Sequence, residues 1–164
     1  MTHEPSIRDA GPGDAPFLTD MLLEAMNWTG EARFSREQAL ADPKIAHYVT
    51  GWPGPGDFGV IAEDGSTGAP VGAAWARPLP ATDPGYGHVA PDVPELTLGV
   101  LPAFRRRGVG GALLDALLAR AGREGVARLS LSVEDGNAAV SLYRSRGFVT
   151  VGREGDSDTM LVTL

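Results

Sequence analysis

The segment Val100-Leu101-Pro102-Ala103-Phe104-Arg105-Arg106-Arg107-Gly108-Val109-Gly110-Gly111-Ala112-Leu113-Leu114 places three arginines and three glycines at the start of an apolar helical pattern. Locally this is a poor helix start. Each glycine inside a helix costs about 1 kcal/mol relative to alanine, and the positive end of the helix dipole disfavours cations. A bound anion removes the conflict: bare main chain at Gly108 and Gly110 lets N–H groups approach phosphate oxygens, and the guanidinium groups add charge-assisted bonds. No Gly-Lys-Ser/Thr follows, so this is not a P-loop, and the third glycine of the dinucleotide fingerprint is absent. A solvated basic turn, with glycines kept for close helix packing, is the alternative that composition leaves open.

Other chemistries are excluded more easily. The chain has no cysteine, so thiolate metal sites, disulfides and a cysteine nucleophile are ruled out. His3, His47 and His88 lack metal-ligand spacing, and no metal is expected. His88, beside Tyr86 in a long loop, is either near an acceptor or simply solvated. The formal net charge of −7 repels polyanions, so nucleic acid is not an expected partner, and cations are favoured. Glu24, Glu31, Asp83, Asp92 and Glu95 fall in regions able to border a cationic acceptor. No apolar run approaches the roughly 18 residues of a membrane span, and the N-terminus has no basic, apolar leader pattern, so a cytoplasmic protein without a membrane partner is expected.

The elements that must position the basic turn follow from periodicity. With 164 residues, about one domain's length, a single domain over residues 1–164 is expected. Residues 7–8 begin a strand, and Phe17, Leu18, Met21, Leu22 and Ala25 mark a helix over 15–26 with Asp14 as its cap. Ser35 starts a second helix, with Glu37 and Gln38 near the position of a capping-box partner. Residues 58–63 and 71–77 read as a hairpin, and 95–100 as a strand ended by Pro102. Between them lies a Pro/Gly-rich connection, residues 78–94, of the length expected for a lid or binding loop. A helix from Arg107 or Gly108 to about Ala121 follows, then a strand through Leu129, Leu131 and Val133, a helix over 138–146, and a closing hairpin of 148–151 with 159–164. The strand-helix-strand unit predicts that strands 95–100 and 128–134 run parallel in an otherwise antiparallel α/β sheet. Trp52 and Trp75 are assigned structural roles.

Arg105-x-x-Gly108-x-Gly110, after a strand ending Val100-x-Pro102, resembles the acyl-CoA pyrophosphate loop of GNAT-superfamily N-acetyltransferases. Asn137-Ala138-Ala139-Val140-Ser141-Leu142-Tyr143, followed by Gly147-Phe148, is similar to that family's later helix and the strand after it. Together the two motifs cover residues 95–164, whereas residues 1–94 match only in element order. The resemblance implies a mixed, mostly antiparallel sheet with a splayed parallel strand pair and flanking helices.

It also implies an acetyl-CoA, or another short acyl-CoA, lying between the splayed strands. The expected contacts are Arg105, Arg106, Arg107, Gly108, Val109, Gly110 and Gly111 around the phosphates, Leu98 and Val100 through main chain, and Asn137. Tyr143 is the expected general acid and Glu95 the expected base; Trp28 would border the acceptor. Each has a blander counterpart: Tyr143 as a core tyrosine, Asn137 as an N-cap, Glu95 as an exposed strand-end carboxylate, Trp28 as packing. The implied reaction is direct attack of a primary amine on the thioester. A small cationic molecule is favoured and a peptide or protein amine is the further option; a silent acyl-CoA sensor is the alternative from another class. A homodimer is compatible with the sequence.

Overall fold

The computed structural model describes residues 4–164, and His3 lies outside them. Seven strands form one sheet in the order β1-β2-β3-β4-β5-β7-β6. They are β1 (Ser6–Asp9), β2 (Phe58–Glu63), β3 (Pro70–Arg77), β4 (Glu95–Val100), β5 (Arg128–Glu134), β6 (Val149–Glu154) and β7 (Ser157–Thr163). Every neighbouring pair is antiparallel except β4 and β5, which are parallel and share one register pair, Glu95 with Ser130. Beyond that pair the strands diverge.

Two apolar clusters cover the two faces. On one, α4 (Val109–Arg123) lays Val109, Leu113, Leu114, Leu117 and Ala121 over β2, β3 and β4, in a cluster that includes Val60, Ala62, Ala74 and Leu96. Burying each of those leucines contributes roughly 1.5–3 kcal/mol, so this seam fixes α4 to the sheet. On the other, α1 (Ala15–Met26) packs Leu18, Met21 and Leu22 with Ile61, Ala73 and Trp75. The approach is close at Gly99, where a Cβ would sit 2.3 Å from the Met21 carbonyl oxygen. Trp52 and Trp75 are both buried, donating their indole N–H to Gly11 O and Tyr48 O.

Several element ends differ from the sequence expectation for local reasons. Asp14 precedes α1 without capping it, because its carboxylate is taken by Arg8 and the Gly11 N–H. Ser35 does cap α2 (Arg36–Ala41), and Gln38 rather than Glu37 completes the box. Asp42 is extended and ends α2, then caps the short α3 (Pro43–Ala46), where Pro43 fits the first turn. Helix α4 starts one residue after Gly108 and runs to Arg123, two residues past the expected end. Helix α5 (Ala139–Ser145) is shorter than residues 138–146 by one residue at each end.

Candidate active site

The divergence of β4 from β5 leaves main chain without a sheet partner. Ser130 N–H donates to Pro94 O on the β5 side of β4, and Leu101 N–H donates to Val71 O on the β3 side. By alternation, Leu98 and Val100 turn their N–H and C=O groups toward the gap. At its far end stands the N-terminus of α4, where Gly108 occupies the left-handed region (φ +80°) and no side chain caps the helix. A non-glycine residue there is strained, although a Cβ would meet nothing within 4 Å. Arg106 is also left-handed, with φ +62°. Backbone strain of this kind persists where the surroundings impose it, and it turns successive N–H groups of the loop and first helical turn in one direction.

The three arginines divide by environment. Arg105 turns inward, donating to Val100 O (3.1 Å) and to Glu24 (3.0 Å). Its guanidinium therefore braces the turn against β4 and α1. It also takes up the Val100 carbonyl, leaving that residue its N–H. Arg106 has no ion pair or side-chain hydrogen bond among the described residues, and Arg107 lies 5.5 Å over the Phe104 ring. Both are exposed and free for a ligand. Gly110 has Leu142 at ordinary contact distance from a would-be Cβ, and a Cβ at Gly111 would lie 3.0 Å from the Arg146 guanidinium. Gly111 thus serves packing as well as main-chain exposure.

Tyr143 is buried on the α4 side of the sheet, edge-on to Phe148 at 5.7 Å. Its hydroxyl has no hydrogen-bond partner among the described residues, and burial raises its pKa further above the ordinary phenol value. Asn137 spends its side-chain oxygen on the Ala139 N–H at 3.0 Å, the capping role, although Ala138 is the residue flanking α5.

Glu95 is not an exposed strand-end group: 4% of its surface is accessible. It lies on the α1 side of the sheet, opposite Tyr143, so the gap has the two residues on its two faces. Desolvation pushes the carboxyl up to about 7, opposed by a hydrogen bond from the Tyr48 hydroxyl and by the Gly87 N–H. Oε2 accepts from Tyr48 at 2.5 Å, while Oε1 accepts no bond of ordinary geometry. The sequence does not single out Tyr48, and it marks the connection 78–94 as a lid or binding loop without placing it over Glu95. The loop's Gly85-Tyr86-Gly87 spacing is the available signal.

Residues 78–94 are fastened down. Asp83 Oδ1 accepts from His47 Nδ1 at 2.9 Å, Tyr86 N–H donates to the Tyr48 hydroxyl at 2.8 Å, and Gly87 lies against Leu131. His88 lines a cleft of about 470 Å³ between this loop and the β6–β7 hairpin, with Tyr86, Val151, Arg153 and Glu154. Trp28 sits across the mouth of the gap and donates its indole N–H to Glu134 at 3.2 Å, beside the Arg33–Glu134 ion pair at 2.6 Å. Of the acidic residues expected near an acceptor, Glu24 is tied to Arg105 and Asp83 to His47. No group of three or more metal-ligating side chains occurs among the described residues, and no helix is long and apolar enough to cross a membrane.

A profile of the acetyltransferase (GNAT) family matches residues 21–148. The chain belongs to the GNAT acetyltransferase family. A curated relative in this family, the N-alpha-acetyltransferase RimI of Mycobacterium tuberculosis, is 38% identical over 135 residues, covering 79% of this chain and 70% of the relative. Among solved structures, a ribosomal-protein-alanine N-acetyltransferase from Brucella melitensis superposes with a TM-score of 0.67 at 25% identity, covering 97% of this chain and 99% of that one. A GNAT phosphinothricin acetyltransferase from Sinorhizobium meliloti, in complex with acetyl-CoA, gives 0.70 at 22% identity over 98% of this chain and 89% of that one. As a GNAT member the chain is an acetyltransferase, and its mixed sheet with one splayed parallel pair is the GNAT architecture.

Proposed function

We propose that this GNAT chain, acting as a single domain over residues 1–164, transfers the acetyl group of acetyl-CoA to the α-amino group of a peptide or protein N-terminus. The observation that carries the choice of acceptor is the likeness to an N-alpha-acetyltransferase, 38% identical to this chain, joined by that to a ribosomal-protein-alanine N-acetyltransferase. An α-ammonium titrates near 7.7–8.0 and a lysine near 10.4, so an α-amine loses its proton more readily to any base, by about 3–4 kcal/mol. The buried Glu95 carboxyl, raised to about 7, is the base at hand. The acidic balance that favours a small cation attracts a peptide's terminal ammonium equally, and the cleft beside Tyr86 and His88 offers room for the residues that follow it.

Bound acetyl-CoA supplies an activated thioester. The N–H groups from Gly108 to Gly111, with Arg106 and Arg107, hold its diphosphate; the freed main chain of Leu98 and Val100 bonds the pantetheine arm and presents an N–H toward the carbonyl oxygen. Glu95 takes up the proton that the ammonium loses. The neutral amine then attacks the thioester carbon from the α1 face, the C–N bond forms and the C–S bond breaks. The second amine proton neutralises the departing thiolate, and Glu95 returns its proton to solvent. Because burial raises the Tyr143 hydroxyl above the ordinary phenol range, complete transfer of its proton to a thiolate of pKa about 8.5 is unfavourable. Tyr143 acts by donating a hydrogen bond to the sulfur.

The test is acetylation of three acceptors matched in concentration: a peptide with a free N-terminus and no lysine, the same peptide N-terminally blocked and carrying lysine, and a small diamine. Thiol release and mass mapping should place acetyl on the free α-amine. Modification confined to lysine or to the diamine would overturn the acceptor assignment.

A further inference from the structure

We propose that Tyr48 is a positioning residue for acetyl transfer, its hydroxyl joining Glu95 Oε2 to the Gly85–Gly87 strap and so fixing the carboxylate that takes up the amine proton. The inference rests on the assignment of Glu95 as base and goes beyond it to what sets that base in place.

The geometry is specific about direction. The Tyr48 hydroxyl accepts the Tyr86 N–H at 2.8 Å, and a hydroxyl has one proton to give, so that proton points at Glu95 Oε2, 2.5 Å away. Both roles of the hydroxyl are used. Tyr48 is itself held: it is 5% exposed, its carbonyl accepts the Trp75 indole N–H at 2.9 Å, its ring stacks on Tyr86 at 6.4 Å, and His47 meets its edge at 4.6 Å. The carboxylate plane is fixed through Oε2, while Oε1 is buried without a partner.

The strap completes the arrangement. A Cβ at Gly85 would lie 2.1 Å from Glu95 Oε1 and 2.7 Å from the Tyr48 hydroxyl, and one at Gly87 would lie 2.4 Å from the Leu131 carbonyl carbon. Only bare main chain passes there. The other ionisable groups around the base are engaged elsewhere. Arg77, its register neighbour on β3, bonds Asp57 and the His47 and Thr50 carbonyls; His47 bonds Asp83; Ser130 on β5 is neutral. Tyr86 presents its N–H. Tyr48 is therefore the donor side chain that reaches the carboxylate.

The experiment compares kcat/KM against pH for wild type, Tyr48→Phe and Glu95→Gln with one free-N-terminus peptide and saturating acetyl-CoA, together with a carbon-13 titration of the Glu95 carboxyl. Wild type should show an acid limb near pH 7 that Glu95→Gln replaces with the peptide ammonium's own limb at about 7.7–8.0; if Glu95→Gln keeps the limb near 7, the base assignment itself fails. With the base assignment standing, Tyr48→Phe removes a donor to the carboxylate, so the limb and the NMR titration should both move upward by about one unit. Faster exchange at the Tyr86 amide should accompany the shift. Gly85→Ala keeps the hydroxyl but pushes the strap off Oε1, admitting water, and should move the limb downward; it also carries the test if Tyr48→Phe does not fold. An unmoved limb in the folded variant overturns the role of Tyr48.

Discussion

A carboxylate 4% exposed and titrating near 7 destabilises the fold wherever it is ionised. In the unfolded chain the same group titrates near the ordinary glutamate value of 4.5. The folded value is the raised one, so the neutral form's advantage is fully present below pH 4.5, is lost as pH rises to about 7, and is gone above that; 2.5 units correspond to about 3 kcal/mol. Glu95→Gln should therefore raise the unfolding free energy at pH 8 by an amount of that order and leave it nearly unchanged at pH 4, measured by urea denaturation. The same variant should lose most turnover. Tyr143→Phe should lower kcat by about tenfold to a hundredfold with little change in acetyl-CoA affinity, as expected for a hydrogen bond made to the leaving sulfur. At this scale the sequence was legible where a residue's neighbours are local. Gly108 and Arg106 announce the turn, but the inward path of Arg105 depends on Glu24, 81 residues away, and the burial of Glu95 depends on Tyr48, 47 residues away. Neither partner is visible from spacing.

The gap between β4 and β5 is bounded by elements the chain must bring together from both halves. Its parallel sense followed from the strand-helix-strand unit, since a crossover through α4 admits no other common arrangement. Its splay did not, because alternation in residues 95–100 and 128–134 is the same whether or not the strands remain paired. The turn between α1 and α2 closes the gap's mouth through Trp28 and Arg33 on Glu134. That ion pair is about one-third exposed, so its contribution to stability is small, about 1 kcal/mol or less. Arg33→Ala should accordingly shift the melting temperature little while raising KM for the peptide acceptor more than KM for acetyl-CoA. The connection 78–94 reads as a lid from composition alone. Its fastening at Asp83, Tyr86 and Gly87 makes it part of the wall over Glu95, an outcome that required His47 and Tyr48, just after α3, and Leu131 of β5 in place.

Across the whole molecule the charge distribution is uneven in a useful way. The chain carries 14 basic and 21 acidic residues, yet Arg106 and Arg107, neither in an ion pair among the described residues, stand together at the uncapped start of α4. A net acidic protein thus keeps a local basic turn, the charge that the proposed diphosphate contact requires. Removing both guanidinium groups (Arg106→Ala with Arg107→Ala) should weaken coenzyme A binding, flatten its salt dependence and leave the melting temperature of the free protein close to wild type. The measurement closest to the central claim is a calorimetric titration of coenzyme A into wild type, Gly108→Ala and Gly108→Glu. Both substitutions impose the same left-handed strain, but only the second places a carboxylate against the diphosphate. One-to-one binding to wild type, retained in large part by Gly108→Ala and weakened at least about tenfold further in Gly108→Glu, is the predicted result. Equal affinity in Gly108→Ala and Gly108→Glu would contradict it.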